Sequence, residues 1–515
     1  MTIALPAQSS GAKSVGVQAS MPQVSTPALD QVKAAPVDLV TKLFYGFGSV
    51  AYGIKDNGFQ TFVLLFYNQL VGLPASLAGG AIFLALIVDA VMDPIVGQMS
   101  DHWRSRWGRR HPFMYLAAAP VAVSYLALWN PPHWSTGALF AYLVVISIIV
   151  RTFITFYEIP SSALAPELTT EYDERTKILG YRYMFGWAGG LGMTFLAYAV
   201  FLAPTKRYPI GQLNPAGYAH YGTVAAIIMF FAILISAAGT HRRIPMLRQP
   251  PAHRPSSLPA YLKEMVSTLS HRSFAMVALG ALFSAMGQGV GFAIALYTGT
   301  FFWELSSVQM LILITQSFAG AVLAMTIAPA LSKRFDKRAT AIGAMALSVV
   351  ITVMPISLRL LGLMPANHTP ALLPTLLVFG SISSSLGIAA AILIASMISD
   401  VVEDSEIKTG RRSEGLFFAA NSLAQKAVSG TGPLIVGVML TLVHFPAHAQ
   451  PGHVAPEVLR SLGLFYVPTF ILPYLIAIGF LSAYRIDRTT HQNNLRRLID
   501  AAALAEAAEE AGSPS

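Results

Sequence analysis

Apolar runs of about 20 residues, separated by short polar connectors, recur along most of the chain. They fall at 40–66, 77–99, 113–129, 137–163, 178–203, 220–239, 273–302, 306–331, 339–361, 371–398, 415–443 and 461–484. Runs of this length suit helices that cross a hydrocarbon core of about 30 Å, whereas barrel strands need only about 9–11 alternating residues. Such alternation is absent, so each run must satisfy its own backbone as a helix. The predicted fold is an all-α integral membrane protein with about twelve transmembrane helices in two six-helix halves.

The connectors give orientation. Arg104, Arg106, Arg109 and Arg110 follow the second span, and Arg242, Arg243, Arg248, Arg254, Lys263 and Arg272 lie between the sixth and seventh. Lys333, Arg334, Lys337 and Arg338 follow the eighth, and Lys408, Arg411 and Arg412 the tenth, while the alternate loops hold little beyond Lys206, Arg207 and Arg460. Positive charge favours the cytoplasmic side, so both termini are expected there, in a plasma membrane of the bacterial inner-membrane kind. The predicted divisions are a disordered tail at 1–38, a six-helix half at 39–240, a cytoplasmic loop at 241–272, a second half at 273–485 and a C-terminal tail at 486–515. The first tail lacks a basic segment followed by an apolar one, so no cleaved signal peptide is expected. A basic loop follows the second span of each half, the layout of the major facilitator class, whose substrates bind near the midplane between halves.

Composition agrees: 54% of residues are hydrophobic and 11% charged, and mean hydropathy is +0.57. The net charge of +9 sits in the connectors and reflects topology, so no nucleic-acid partner is expected. With no cysteine there is neither disulfide nor thiolate metal site, and the twelve histidines show no metal-ligand spacing. No cofactor, metal or enzymatic constellation is predicted. "GQGVG" at 287–291 lies inside a span with no preceding strand, which argues against a phosphate loop.

Charges within the spans are the candidate chemistry, because each costs at least about 2.5–3.5 kcal/mol to insert. They are Lys55, Asp56, Asp89, Asp93, Arg151, Glu158, Arg182 and Lys426. Asp89 and Asp93 stand at i and i+4 on one helical face, where two carboxylates either share a proton or accept a cation. Arg151 and Glu158, seven residues apart, also share a face and are expected to pair. Ion pairs that merely fix helix packing are the structural alternative. Asp101 is expected to brace the arginine-rich loop, and Gly189, Gly190, Gly192, Gly430 and Gly432 to serve close helix packing.

Four segments carry a resemblance: "KLFYGFGSVAYG", "DAVMDPIVGQMSDHWRSRWGRRHPF", "YEIPSSALAPEL" and "SDVVEDSEIKTGRRSEGLFFAANSLAQKAVSG". From about 42 to 485 the chain resembles the glycoside-pentoside-hexuronide cation symporters, the melibiose permease-like branch of the major facilitator superfamily. The resemblance implies that Asp89, Asp93 and Glu158 form the coupling-cation site, with Thr155 supplying an oxygen, and that Arg182 and Lys426 organise the substrate cavity. It also implies substrate roles for Asn421 and Ser422, and for the Lys55–Asp56 pair, while Gln425 could add a hydroxyl contact. Arg412 and Glu414 resemble gate or loop residues.

Met92 stands where sodium-using members of that family supply an asparagine oxygen, and a thioether is a poor sodium ligand, so proton coupling is expected in preference to sodium. Ser162 and Ala391 replace tryptophans of melibiose permeases, which implies a roomier pocket. The expected function is secondary active, cation-coupled symport of a glycoside, oligosaccharide or related sugar, by a protein working as a monomer in the lipid bilayer. Transport of a lysolipid or other amphipathic solute is the alternative, ahead of a non-transporting sensor or an enzyme.

Overall fold

Hydrocarbon offers a peptide group no hydrogen-bond partner, so the apolar runs fold as helices, and most continue past the membrane until a cap or turn stops them. The computed structural model describes residues 37–169, 171–247, 272–409, 428 and 430–484. The second to sixth spans are Ala75–His102, His111–Leu128, Thr136–Leu168, Tyr172–Leu196 and Pro215–His241. The seventh to tenth are Arg272–Tyr297, Ser307–Arg334, Lys337–Leu360 and Leu372–Thr409, and the twelfth is Pro456–Ser482. Of the eleventh, Thr431–Leu442 is described as helix. Among the described residues, ten helices are long and apolar enough to cross a bilayer. The first and eleventh bring the fold to the expected set.

The first span departs most from expectation. It reaches Leu70 in pieces: α-helices Leu39–Phe47 and Ser49–Asn57, a π-helical turn Gly58–Phe62, a short helix Val63–Leu65, and a second π turn Phe66–Leu70. At the first π turn the Val63 N–H reaches the Gly58 carbonyl, five residues back. The tenth span, expected to stop at 398, continues as helix to Thr409, because a hydropathy run ends where charges begin while helical hydrogen bonding does not.

The halves repeat one another in detail. In the first, the Val71 and Leu73 N–H groups donate to the Phe66 and Tyr67 carbonyls; in the second, those of Trp303 and Leu305 donate to Thr298 and Gly299. Both exits place a left-handed residue at the same step, Gly72 (φ 89°) and Glu304 (φ 52°). At the arginine-bearing end, Arg109 and Arg110 bind Glu167 of the fourth span, at 2.5 and 3.1 Å, and Arg110 also binds Asp101 at 2.6 Å, as expected for that brace. Lys337 binds Asp400 of the tenth span at 2.8 Å, the matching contact of the second half. Asp38 joins the start of the first span to the end of the sixth through Arg242 and Arg243. The Thr41 hydroxyl and the Arg243 guanidinium hold the Asp38 carboxyl well below the usual range.

Among the described residues, the hydrogen bonds that join the two halves gather at the opposite end. Gln69 Nε2 donates to the Pro446 carbonyl at 3.1 Å, and Gln69 Oε1 accepts from the Ala449 N–H at 2.8 Å. Gln212 Nε2 donates to the Leu305 carbonyl at 2.9 Å, and Tyr297 donates to Asn68 Oδ1 at 2.9 Å.

Small residues set the closest approaches. A Cβ on Gly79 would lie 2.3 Å from the Pro433 oxygen, and one on Gly437 2.3 Å from the Ala75 oxygen, so spans two and eleven meet backbone to backbone. Of the glycines expected to pack closely, Gly189, Gly190, Gly430 and Gly432 do; Gly192 does not, with nothing within 4 Å of its Cβ position. Between spans one and five, a Cβ on Gly53 would meet the Gly186 oxygen at 2.0 Å. Gly53→Ala is therefore expected to destabilise the protein by about 1–3 kcal/mol in thermal melts, whereas Gly192→Ala should leave stability unchanged or raise it by up to about 1 kcal/mol.

Candidate functional site

The second span presents Asp89 and Asp93 inward, as their i, i+4 spacing requires, and both are buried. Thr155, on the fourth span, sits against them: its Oγ1 is 2.9 Å from Asp89 Oδ1 and 3.0 Å from Asp93 Oδ1. A hydroxyl has one proton to give and two lone pairs to receive. Both contacts are satisfied together if Thr155 donates to one carboxylate while the other carboxyl, carrying a proton, donates to Thr155, or if a small cation sits among the three oxygens. Two carboxyl groups with a hydroxyl between them can take up a proton or a small cation.

Arg151 lies one turn earlier on the fourth span. Its Nη1 is 3.1 Å from Asp89 Oδ2, and its guanidinium stacks on Phe59, 4.6 Å from the ring centroid. The expected pairing of Arg151 along its own helix with Glu158 is corrected here: the side chain reaches across to span two. Seven residues on a helix rise about 10 Å, whereas the neighbouring helix lies within one side-chain length. Glu158 belongs to a second group. Its carbonyl accepts from Ser161, Ser162 and Arg182 Nη2, the last at 3.3 Å. Arg182 Nη1 donates to Ser161 at 2.8 Å, and its guanidinium faces Tyr52 at 5.1 Å.

Lys55 and Asp56 form the expected pair, 2.6 Å apart, with Lys55 buried and Asp56 44% exposed. They open onto a cavity of about 230 Å³ that is also lined by Gln60, Asp89, Arg151 and Gln288. Its walls come from spans one, two and four of the first half and from spans seven and eleven of the second. The structure therefore brings together Lys55, Asp56, Asp89, Asp93, Arg151 and Thr155, and sets Glu158 and Arg182 beside one another. Asn421, Ser422, Gln425 and Lys426, with Arg411, Arg412 and Glu414, lie outside the described residues.

The family described as "MFS/sugar transport protein" matches residues 44–488. The chain belongs to that family. It is 27% identical over 551 residues to an uncharacterized symporter, sll1374, of Synechocystis, covering 91% of this chain and 98% of the relative. It is 26% identical over 448 residues to the isoprimeverose transporter of Lactiplantibacillus pentosus, covering 86% and 88%. A bacterial homologue of the human lysosomal transporter Spinster, solved inward-facing and unoccupied, shares the fold with a TM-score of 0.59 at 13% identity, over 87% of this chain and 96% of that one. Members of this family are transporters, not enzymes.

Sequence reasoning that followed charge missed the uncharged members of the site. Gln60 and Gln288 are amides inside apolar spans, and that alone was a usable signal. Gln288 is the polar residue of "GQGVG": Gly287 and Gly289 pack against Tyr474 and Gly432, and Gln288 faces the cavity. Phe59, the platform for Arg151, had no sequence signal.

The Lys55–Asp56 pair yields an asymmetry. Removing Asp56 strands a buried ammonium, whereas removing Lys55 leaves a carboxylate that reaches water. Asp56→Ala should cost about 2 kcal/mol or more, and Lys55→Met less than about 1 kcal/mol, by melting of the purified protein in detergent.

Proposed function

We propose that this protein is a proton-coupled symporter of a glycoside, oligosaccharide or related sugar, working by alternating access as a monomer in the bacterial inner membrane. The observation that carries the reading is the Asp89–Thr155–Asp93 trio beside a polar cavity that both halves line. Arg151 compensates Asp89, which directs the transferable proton to Asp93. A proton on Asp93 removes one charge from the cavity and completes the hydrogen bonding of Thr155. Loading then favours the substrate-binding arrangement through a difference in affinity between the two states.

The lining of cation, carboxylate and amide pairs suits a solute with many hydroxyl groups: Lys55, Asp56, Gln60 and Gln288 can each give or take hydrogen bonds. A ligand with an acyl chain would leave most of them unpaired, which places the amphipathic alternative second. The family membership and the isoprimeverose-transporting relative support a sugar, and the proposal needs no cofactor. With the arginine-bearing end cytoplasmic, the Gln69 and Gln212 contacts would join the two halves on the outer side.

The test is charge movement on solid-supported membranes, with purified protein in liposomes challenged by monosaccharides, disaccharides, glycosides and lysolipids at several pH values. A sugar-evoked current that follows the proton gradient is expected. Asp93→Asn should abolish it, and Thr155→Val should reduce it about tenfold or more, the loss of a hydrogen bond to a charged group worth about 1.5–3 kcal/mol. A response to lysolipids alone, or a sugar current indifferent to pH, would overturn the reading.

A further inference from the structure

We infer that Arg151 fixes the coupling ion by acting as a tethered cation that takes the place of an alkali ion on Asp89. The inference deepens the symport reading, but rests on occupancy of Asp89 and not on sugar transport. Two close carboxylates with a hydroxyl between them are, by chemistry, an oxygen-lined site for a small hard cation as well as for a proton. What distinguishes this site is the guanidinium already in it. Arg151 is 6% exposed, its Nη1 lies 3.1 Å from Asp89 Oδ2, and the ring of Phe59 covers its face. Arginine does not lose its proton in proteins, so this positive charge is permanent. Its position is set from both sides, by a carboxylate of span two and an aromatic ring of span one.

An alkali ion entering between Asp89 and Asp93 would have to bind beside that fixed charge and share Asp89 with it. Among the described residues, the other positive charge on the cavity wall adds to this. Lys55, from span one, adds a second positive charge to the cavity wall, next to its own partner Asp56. On span four, Glu158 lies two turns further along, in the group that contains Arg182 of span five. A proton on the trio, by contrast, needs no coordination sphere and no share of Asp89. Arg151 therefore admits a proton and rejects sodium or lithium, independently of the thioether at Met92.

The test is saturable sodium-22 binding to the purified full-length protein in sodium-free buffer, alongside sugar-driven currents in liposomes. The wild type and Arg151→Lys should bind no sodium saturably. Arg151→Ala should bind it at least about tenfold more tightly than the wild type, a shift of about 1.4 kcal/mol. Arg151→Gln, which keeps the length of the side chain, serves as the second variant should the alanine protein not fold. Saturable sodium binding by the wild type, or a folded Arg151→Gln or Arg151→Ala that binds no better, overturns the inference. Sodium binding gained on loss of Arg151 in a protein that moves no sugar would sink the sugar reading and leave this one standing.

Discussion

A charge held in hydrocarbon must be answered by an opposite charge, a hydrogen bond or water, and the architecture follows from that demand. Lys55 answers Asp56, and Arg151 answers Asp89. At the polar edge the same rule fastens loops to helices, through Glu167 for Arg109 and Arg110 and through Asp400 for Lys337. Each pair joins different elements except Lys55–Asp56, which lies within one helix and faces the cavity.

Lipid contact fixes the remainder. Val123, Phe231, Val322, Met325 and Leu472 are exposed on the helices, as a bilayer solvent permits. Inside, close approach comes from missing side chains: Gly53 against Gly186, and Gly432 against Gly289. Aromatic rings fill the wider gaps, as where Trp129 stacks on Tyr218 with centroids 5.8 Å apart.

The helical class, the two halves and the buried carboxylates were legible in the sequence because membrane insertion penalises charge so heavily that each exception stands out. Asp89, Asp93 and Thr155 meet as their spacing and the family resemblance implied. The partner of Arg151 was not legible, since helix periodicity reports which residues share a face but not which neighbouring helix lies closest. Gln60, Gln288 and Phe59 escaped for another reason: a reading that follows formal charge passes over an amide, costly as it is to bury unpaired, and over an aromatic ring, which lipid accepts. The π turns of the first span were equally hidden, because an extra residue in a turn shifts the phase of a pattern, and a stretch apolar nearly all round has no phase to shift.

The contact of Gly79 with Pro433, and of Ala75 with Gly437, has a mechanical meaning. Two helices touching through bare backbone have no side-chain rotamers to unlock, so they can roll on one another as a bearing does. Asp89 lies ten residues from Gly79, about 15 Å along the helix axis, and His102 about 35 Å. Rotation about that bearing would sweep the arginine-bearing end more than twice as far as it moves the carboxyl. The carboxyl would then travel less than half as far as that end, as a point nearer the hub of a wheel moves less than its rim.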